Sequence, residues 1–174
     1  MPELTPQERL QPALLDRLTD EDPASHQEPI EGRVMSKARL RQAVLRDLGW
    51  LFNATQPMGA TSDLPQVIAE SVLNYGLPPL SGQLASRLDV SVLEKAIREA
   101  IVRFEPRILH ESLHVTALEW SSVLDTHNVI EFEIRGHLWS QPVPLEILLR
   151  TQIDLEAGQI EVRDGGGVAP SKAR

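Results

Sequence analysis

The chain has 174 residues, of which 41% are hydrophobic and 24% charged, an ordinary composition for a soluble globular domain with a core. Its formal net charge of −8 argues against a phosphate-binding surface, so we expect no nucleic-acid partner and leave protein partners open. The absence of cysteine excludes disulfides, thiolate metal sites and cysteine nucleophiles, and favours a reducing compartment.

No stretch of the sequence approaches the roughly 20 apolar residues that a membrane span requires. The first residues, Met1–Thr5, lack the basic and apolar regions of a signal peptide. We therefore expect a cytoplasmic protein without direct membrane insertion.

Residues 1–35 are predicted to form a flexible extension with one short helix. Leucines recur at helical spacing between Arg9 and Leu18. Residues 19–33 carry two prolines, five acids and almost nothing apolar, which is typical of a linker or an exposed loop.

The first long helix is predicted to begin after Ser36, a good N-cap residue, and to end near Asn53. A second helix is predicted from Pro65 to Asn74, with Gly76 in a left-handed conformation after it.

The last predicted helix carries an apolar stripe that ends at Phe104. Ser91–Glu94 has the sequence of a capping box, in which the serine side chain and the glutamate would satisfy free amides at the helix start. Pro106 disfavours a helical Glu105, so the helix should end near Phe104.

From Leu109 onward the hydrophobic period changes from 3.6 to 2, which is typical of strands. Alternating runs at 109–117, 130–138 and 143–155, followed by a turn and 160–162, predict an antiparallel meander of three to four strands. We predict an α+β fold, with N-terminal helices on one face of the sheet, over residues 36–163 and a disordered tail over 164–174.

Five histidines are the main candidate metal ligands: His26, His110, His114, His127 and His137. A metal site normally needs three or four convergent ligands. His110 and His114 would stand about 13 Å apart on a strand, too far to share an ion. We therefore predict solvated side chains, and neither a metal nor a cofactor.

The junction Phe104–Arg107 admits two interpretations. Glu105 and Arg107 could flank the rigid Pro106 as an exposed local ion pair, which would contribute only about 0 to 1 kcal/mol. Alternatively, the planar guanidinium and the carboxylate form a preorganised polar anchor for a partner. The residues alone leave both open.

Catalysis by Glu105 is a further possibility, because glycoside hydrolysis needs two carboxyl groups about 5 to 9.5 Å apart. Nothing in the spacing singles out a second carboxyl, and only seven aromatic residues are available for a sugar platform. We therefore predict no enzymatic activity.

Three segments together carry a resemblance to a known family. Phe104–Arg107 after an amphipathic helix resembles the Glu-Pro-Arg motif of the TssE family, the baseplate proteins of type VI secretion systems. Ser71–Pro78 resembles that family's Ser-Val-Leu-Asn-Tyr-Gly-Leu-Pro stretch, and Val44–Asn53 its arginine-aspartate-leucine helix. The family commonly continues Asn-Thr-Arg where this chain has Asn53 followed by Ala54 and Thr55.

The resemblance implies a structural protein, related to a wedge protein of contractile phage tails that was labelled lysozyme-like. It implies that the chain joins the baseplate wedge near the inner membrane, contacts TssF and TssG, with TssK as a further candidate, and helps to start the TssB–TssC sheath. Glu105, Pro106 and Arg107 would bind the partner, and an uncovered strand edge, for which we favour the last hairpin (145–163), would receive a sheath arm. The alternatives are a peptidoglycan-cleaving hydrolase with Glu105 as its acid, and a generic adaptor with an exposed sheet edge.

Overall fold

The computed structural model describes residues 13–19, 35–57, 65–80, 89–118, 129–140 and 142–166. The helices are α1 (Leu14–Leu18), α2 (Lys37–Asn53), α3 (Gln66–Ala69) and α4 (Val90–Phe104). Single 3₁₀ turns span Val72–Asn74 and His110–Ser112. The strands are β1 (His114–Ala117), β2 (Val129–Leu138), β3 (Leu145–Asp154) and β4 (Gln159–Asp164).

The strands form one sheet in the order β1-β2-β3-β4, and every neighbouring pair is antiparallel. In β2 and β3 buried residues alternate with more exposed ones, as the period of two predicts. Helix α2 packs against β4 and α4 against β1. The α+β prediction, with helices on one face of an antiparallel sheet, is confirmed.

The core between the helices and the sheet is built almost entirely from aliphatic side chains, with two phenylalanines. Its main members are Leu40, Val44, Leu48, Leu51 and Phe52 of α2, Leu93, Ile97 and Ile101 of α4, and Ile130, Phe132, Ile134, Ile147, Leu149 and Ile153 of the strands. None of the helices in the described part of the chain combines the length and apolarity that crossing a membrane requires.

Helix α2 has the predicted boundaries. The Ser36 hydroxyl accepts a hydrogen bond from the Arg39 backbone N–H at 3.2 Å, and Asn53 is the last helical residue. The N-cap prediction is therefore confirmed.

The capping box predicted for α4 is wrong. Asp89 is the N-cap, and its Oδ1 accepts hydrogen bonds from the Ser91 N–H at 3.0 Å and from the Ser91 hydroxyl at 2.7 Å. Ser91 lies inside the first turn, so it cannot cap the helix. Glu94 instead accepts a hydrogen bond from the Ala117 N–H of β1 at 2.6 Å. The predicted helix end at Phe104 is confirmed.

The single helix predicted over 65–74 is also wrong, because α3 and the following 3₁₀ turn are separate. Ser71 has an extended backbone; its hydroxyl donates to the Ile68 carbonyl at 2.9 Å and accepts from the Leu73 N–H at 3.3 Å. A serine that bonds its neighbouring backbone in this way competes with a continuous helix.

Gly76 has the positive φ that was expected, at +120°. The structural requirement for glycine is a close approach to α2: a Cβ here would overlap the Ala54 carbonyl, which accepts the Leu77 N–H at 2.9 Å. This contact joins the segment after α3 to the C-terminal end of α2.

Two strand boundaries differ from the prediction. The 3₁₀ turn His110–Ser112 replaces the first half of the strand predicted from Leu109. Strand β4 includes Asp164, where the tail was predicted to begin, and the Gly165 N–H donates to the Leu148 carbonyl at 2.8 Å. Residues 1–12, 20–34 and 167–174, which include most of the predicted extension and tail, lie outside the described residues.

Candidate functional site

The junction between α4 and the sheet is fixed by backbone hydrogen bonds. The Glu105 N–H donates to Ile101 at 2.8 Å and closes α4, and the Ile108 N–H donates to the Glu105 carbonyl at 3.2 Å. The Arg107 carbonyl accepts the Trp139 N–H at 2.8 Å, just beyond β2. The junction is therefore attached both to the last turn of α4 and to the end of β2.

Glu105 and Arg107 form a two-point ion pair. Arg107 Nε lies 2.6 Å from Oε1 of Glu105 and Nη2 lies 2.5 Å from Oε2, and the Arg107 backbone N–H also donates to Oε1 at 3.2 Å. Glu105 is only 3% exposed, whereas the local pair considered from sequence was an exposed one. Both carboxylate oxygens are occupied by Arg107, so this pair is a fixed part of the fold.

The pair continues into a chain of alternating charges, here called the charge chain: Asp16, Arg46, Asp47, Arg107 and Glu105. Arg107 Nη2 lies 2.5 Å from Asp47 Oδ2, Arg46 Nε lies 2.9 Å from Asp47 Oδ1, and Arg46 Nη1 lies 2.5 Å from Asp16 Oδ1. Three acids and two arginines thereby join α1, α2 and the junction.

Electrostatics keep both arginines of the charge chain protonated. Burial alone lowers the pKa of Arg107, but hydrogen bonding and charge from Glu105, and then from Asp47, outweigh it and raise the pKa above its ordinary value. Hydrogen bonds to Asp16 and then Asp47 raise the pKa of Arg46. Within the described residues, Nη1 of Arg107 is buried and has no hydrogen-bond partner.

Tyr75 brings the segment after α3 against the junction. Its ring packs edge-on against Phe104, with centroids 5.1 Å apart and planes at 66°. Burial, followed by the negative charges of Asp47 and Glu105, raises the pKa of the Tyr75 hydroxyl. All three segments that carry the family resemblance therefore meet at this junction.

The outer surface of the junction is partly apolar. Pro106 is exposed, and Trp139 and Val143 in the β2–β3 connection are 48% and 62% exposed. The Ser140 hydroxyl donates to the Val143 carbonyl at 2.5 Å and fixes that connection. We call Pro106, Trp139 and the exposed quarter of the Arg107 side chain the junction surface.

Among the described residues, no group of three or more histidine, aspartate or glutamate side chains could hold a metal ion. His110 lies in a 3₁₀ turn, His114 in β1 and His137 in β2. His26 and His127 lie outside the described residues.

The two outer strands of the sheet each receive a side chain from a helix. Asn53 of α2 bonds both backbone groups of Ile160 in β4, and Glu94 of α4 accepts the N–H of Ala117 in β1. Strand β4, part of the hairpin that was predicted to provide the docking edge, does lie at an edge of the sheet.

Glu105, Pro106 and Arg107 were predicted from the sequence, but the rest of the charge chain was not. Arg46 and Asp47 lie in a segment that was noted for its helical pattern and its resemblance to TssE, not for its charges. The available signal was that this segment and the junction each carry one arginine and one acid close together. Nothing in the local sequence indicated Asp16, because its partner lies 30 positions away.

Comparison with known proteins gives a family match and a structural likeness. A family model described as baseplate wedge protein gp25 matches residues 38–143. A solved chain titled "The baseplate complex from the type VI secretion system" is 19% identical, with a TM-score of 0.49, over 68% of this chain and 96% of that chain. No curated protein matches the chain significantly.

Proposed function

This chain belongs to the family of baseplate wedge protein gp25, whose model matches more than half of it, and we propose that it is a structural component of a type VI secretion baseplate. The family match confirms the wedge relationship inferred from the sequence. The three segments that resemble TssE support the more specific placement.

The observation that carries the proposal is the fixed Glu105–Arg107 pair beneath an exposed surface. Because Glu105 is buried and both its oxygens bind Arg107, its part is to hold Arg107 and Pro106 in place. The junction surface then presents Pro106, Trp139 and the exposed part of the Arg107 side chain, and tryptophan and arginine are enriched where proteins bind one another. We assign this surface to the wedge subunits TssF and TssG, with TssK as a further candidate.

The same geometry argues against a catalytic Glu105. A general acid in glycoside hydrolysis must give a proton to the leaving oxygen, but three N–H groups of Arg107 donate to this carboxylate. The neighbouring carboxylate of Asp47 binds the same guanidinium nitrogen. Neither acid is placed to act on a substrate, so a structural role is the better account.

The proposal also includes a role at the start of the TssB–TssC sheath. An outer strand offers backbone N–H and C=O groups along one side, and an extended arm of another protein can add to it. Strand β4 supplies such an edge. The working location would be cytoplasmic, at the baseplate near the inner membrane.

The test of the wedge contact is capture of purified TssF–TssG by the tagged protein. We expect Trp139→Ala and the double variant Glu105→Ala/Arg107→Ala each to lose capture, the first by removing an exposed contact and the second by releasing the junction. Val67→Ala is the matched control, since Val67 is 82% exposed on α3. Full capture by Trp139→Ala and by a folded double variant would refute this contact.

The hydrolase alternative is decided by a peptidoglycan zymogram of the wild-type protein beside Glu105→Gln. We expect no lysis band from either protein. A band from the wild-type protein that disappears in the variant would establish the catalytic function instead.

A further inference from the structure

Helix α1 has the reverse orientation of an ordinary surface helix. Such a helix directs its apolar side chains toward the body of the protein and its polar side chains toward solvent. In α1, Leu14 and Leu18 are 72% and 74% exposed, and Leu15 is 43% exposed. Asp16 faces inward instead, with only 15% of its side chain exposed. The helix therefore presents its leucines to solvent.

An ion pair attaches α1 to α2. Asp16 Oδ1 lies 2.5 Å from Arg46 Nη1, and α1 buries none of its own residues. At its end, the Thr19 hydroxyl and N–H both donate to the Leu15 carbonyl, at 2.9 and 3.0 Å. A helix of five residues is far shorter than the roughly 12 to 15 residues that give marginal stability in water. Its order therefore depends on contacts outside it, and Arg46 offers no apolar cover for the leucines.

Trp50 adds an apolar group beside the place where α1 is attached. It lies one turn beyond Arg46 on α2, and the guanidinium carbon of Arg46 is 5.2 Å from the centre of the Trp50 ring. Trp50 is 54% exposed. The same guanidinium thus holds the carboxylate of α1 and the indole ring. We call Trp50 and the three leucines of α1 the leucine–tryptophan surface.

The leucine–tryptophan surface is too small to be an interface on its own. A specific and stable interface buries roughly 800 Å² on each partner, and three partly exposed leucines with one half-exposed tryptophan offer clearly less. A separate dimer built on these four side chains alone is therefore not favoured. The surface is better explained as one part of a larger contact.

The charge chain connects the leucine–tryptophan surface to the junction surface. Arg46 binds Asp16 through Nη1 and Asp47 through Nε, and Asp47 in turn binds Arg107. Arg46 and Asp47 are consecutive residues of α2, so the attachment points of α1 and of the junction are adjacent. A subunit that covers the exposed part of Arg107 is thereby brought next to α1.

We infer that α1 is a docking helix, whose exposed leucines enter an apolar groove of TssF–TssG, the partner assigned to the junction surface. Leu14 and Leu18 have the i, i+4 spacing with which an amphipathic helix fills such a groove. Asp16 is the positioning residue, because its bond to Arg46 orders α1 before the partner arrives and so lowers the cost of binding. The inference rests on the proposed function, since it names a second attachment point for the same partner. Helix α1 precedes residues 38–143, which the family model matches.

The test measures the affinity of purified TssF–TssG for the wild-type protein and for variants of α1. We expect Leu14→Ala/Leu18→Ala to bind about tenfold more weakly, because two apolar side chains no longer enter the groove. Val67→Ala/Val92→Ala is the matched control and should bind like the wild-type protein, since these valines are 82% and 62% exposed on α3 and α4. Equal affinity of the leucine variant and the wild-type protein would overturn the inference.

The positioning role of Asp16 is tested separately. We expect Asp16→Ala to bind TssF–TssG about threefold more weakly, because the leucines remain but α1 must be ordered on binding. In the free variant, amide hydrogen exchange at Thr19 should be faster than in the wild-type protein. Unchanged affinity together with unchanged exchange would overturn this role.

A second readout uses the wild-type protein and needs no variant. The Arg17 and Thr19 N–H groups close α1 by donating to the carbonyls of Ala13 and Leu15. Binding of TssF–TssG should slow amide hydrogen exchange at both, because the partner then covers the helix. The Gly158 N–H, in the turn between β3 and β4, should be unchanged. Exchange at Arg17 and Thr19 that does not slow in the complex would overturn the inference.

The outcomes separate this inference from the proposed function. If TssF–TssG binds the leucine variant as tightly as the wild-type protein but does not bind Trp139→Ala, the inference fails and the wedge contact stands. If the wild-type protein does not bind TssF–TssG, both fail. Sedimentation of the free protein tests a second copy as the occupant, and we expect a monomer. A dimer that Leu14→Ala/Leu18→Ala dissociates would assign the leucines to a second copy and overturn the inference.

Discussion

The junction and the β4 edge both place a polar side chain from the C-terminal end of a helix against the sheet, but they do so in opposite ways. Glu105, one residue beyond α4, is buried and paired with a charge. Asn53, the last residue of α2, is neutral, exposed and paired with backbone. The first contact cannot be opened without leaving a charge unpaired, whereas the second can be exchanged for an equivalent one. A fixed contact suits the fold, and an exchangeable one suits assembly.

The largest effect is expected from Glu105→Ala. Removal of Glu105 deprives the largely buried Arg107 of its two-point partner and leaves it paired with Asp47, so the free energy of unfolding should fall by about 3 kcal/mol, the low end for a broken buried pair. Urea denaturation followed by tryptophan fluorescence measures this change. A loss below about 1 kcal/mol would mean that the pair behaves like an exposed ion pair. That result would contradict the contrast drawn between the junction and the β4 edge.

Asp47→Asn should have an intermediate effect. The substitution keeps the shape of the side chain but removes the charge between Arg46 and Arg107. We expect a loss of about 1 to 2 kcal/mol, because Arg107 keeps its bonds to Glu105. Thermal melts of this variant beside Asp154→Asn, a substitution of another aspartate outside the charge chain, give the comparison. Equal stability of the two variants would contradict a central position for Asp47.

Asp16→Ala should have the smallest effect of the three on stability. Its partner Arg46 is about one third exposed and retains Asp47, so the loss should be about 0 to 1 kcal/mol. Urea denaturation in low and high salt measures it, and the loss should shrink in high salt. A loss as large as that of Glu105→Ala would show that the fixed region extends to α1.

The ionisation of Tyr75 should not change the free energy of unfolding at neutral pH. It should lower that free energy only in alkaline solution. Its pKa is raised in the folded protein, so the folded state holds the phenol proton more tightly than the unfolded state. Stability should therefore fall as the pH rises from about 10, the unfolded value, through the higher folded pKa.

Ultraviolet absorbance reports this titration without interference, because Tyr75 is the only tyrosine of the chain. The pKa of Tyr75 should be higher in the native protein than in protein unfolded by urea. Asp47→Asn should reduce the difference between these two pKa values. Coincident titrations in native and unfolded protein would contradict the placement of Tyr75 beside Asp47 and Glu105.

The sequence predicted the architecture because hydrophobic periods report which face of an element is buried. The residues of α2, α4 and β2 follow these periods closely, and Pro106 ended α4 where expected. The boundaries that failed depend on local side-chain competition. Asp89, and not Ser91, is the N-cap of α4. The hydrogen bonds of Ser71 separate α3 from the 3₁₀ turn where one helix over 65–74 was predicted. Neither outcome is encoded in periodicity.

The site could be predicted only in part, since its partners are distant in sequence. Glu105 and Arg107 are two residues apart and were found together, but Asp47 lies 60 positions from Arg107, and Asn53 lies 107 positions from Ile160. Asn53 was interpreted simply as a helix stop. Its contact with β4 follows from how α2 packs on the sheet, which a pattern along one chain does not contain.

Native-state amide hydrogen exchange tests the contrast between the fixed and the exchangeable contact most directly. The Arg107 N–H donates to Glu105 and the Ile160 N–H donates to Asn53. We predict that the Arg107 amide exchanges only through global unfolding, and that the Ile160 amide exchanges much faster through local opening of the Asn53 contact. Exchange at Ile160 as slow as at Arg107 would contradict this account.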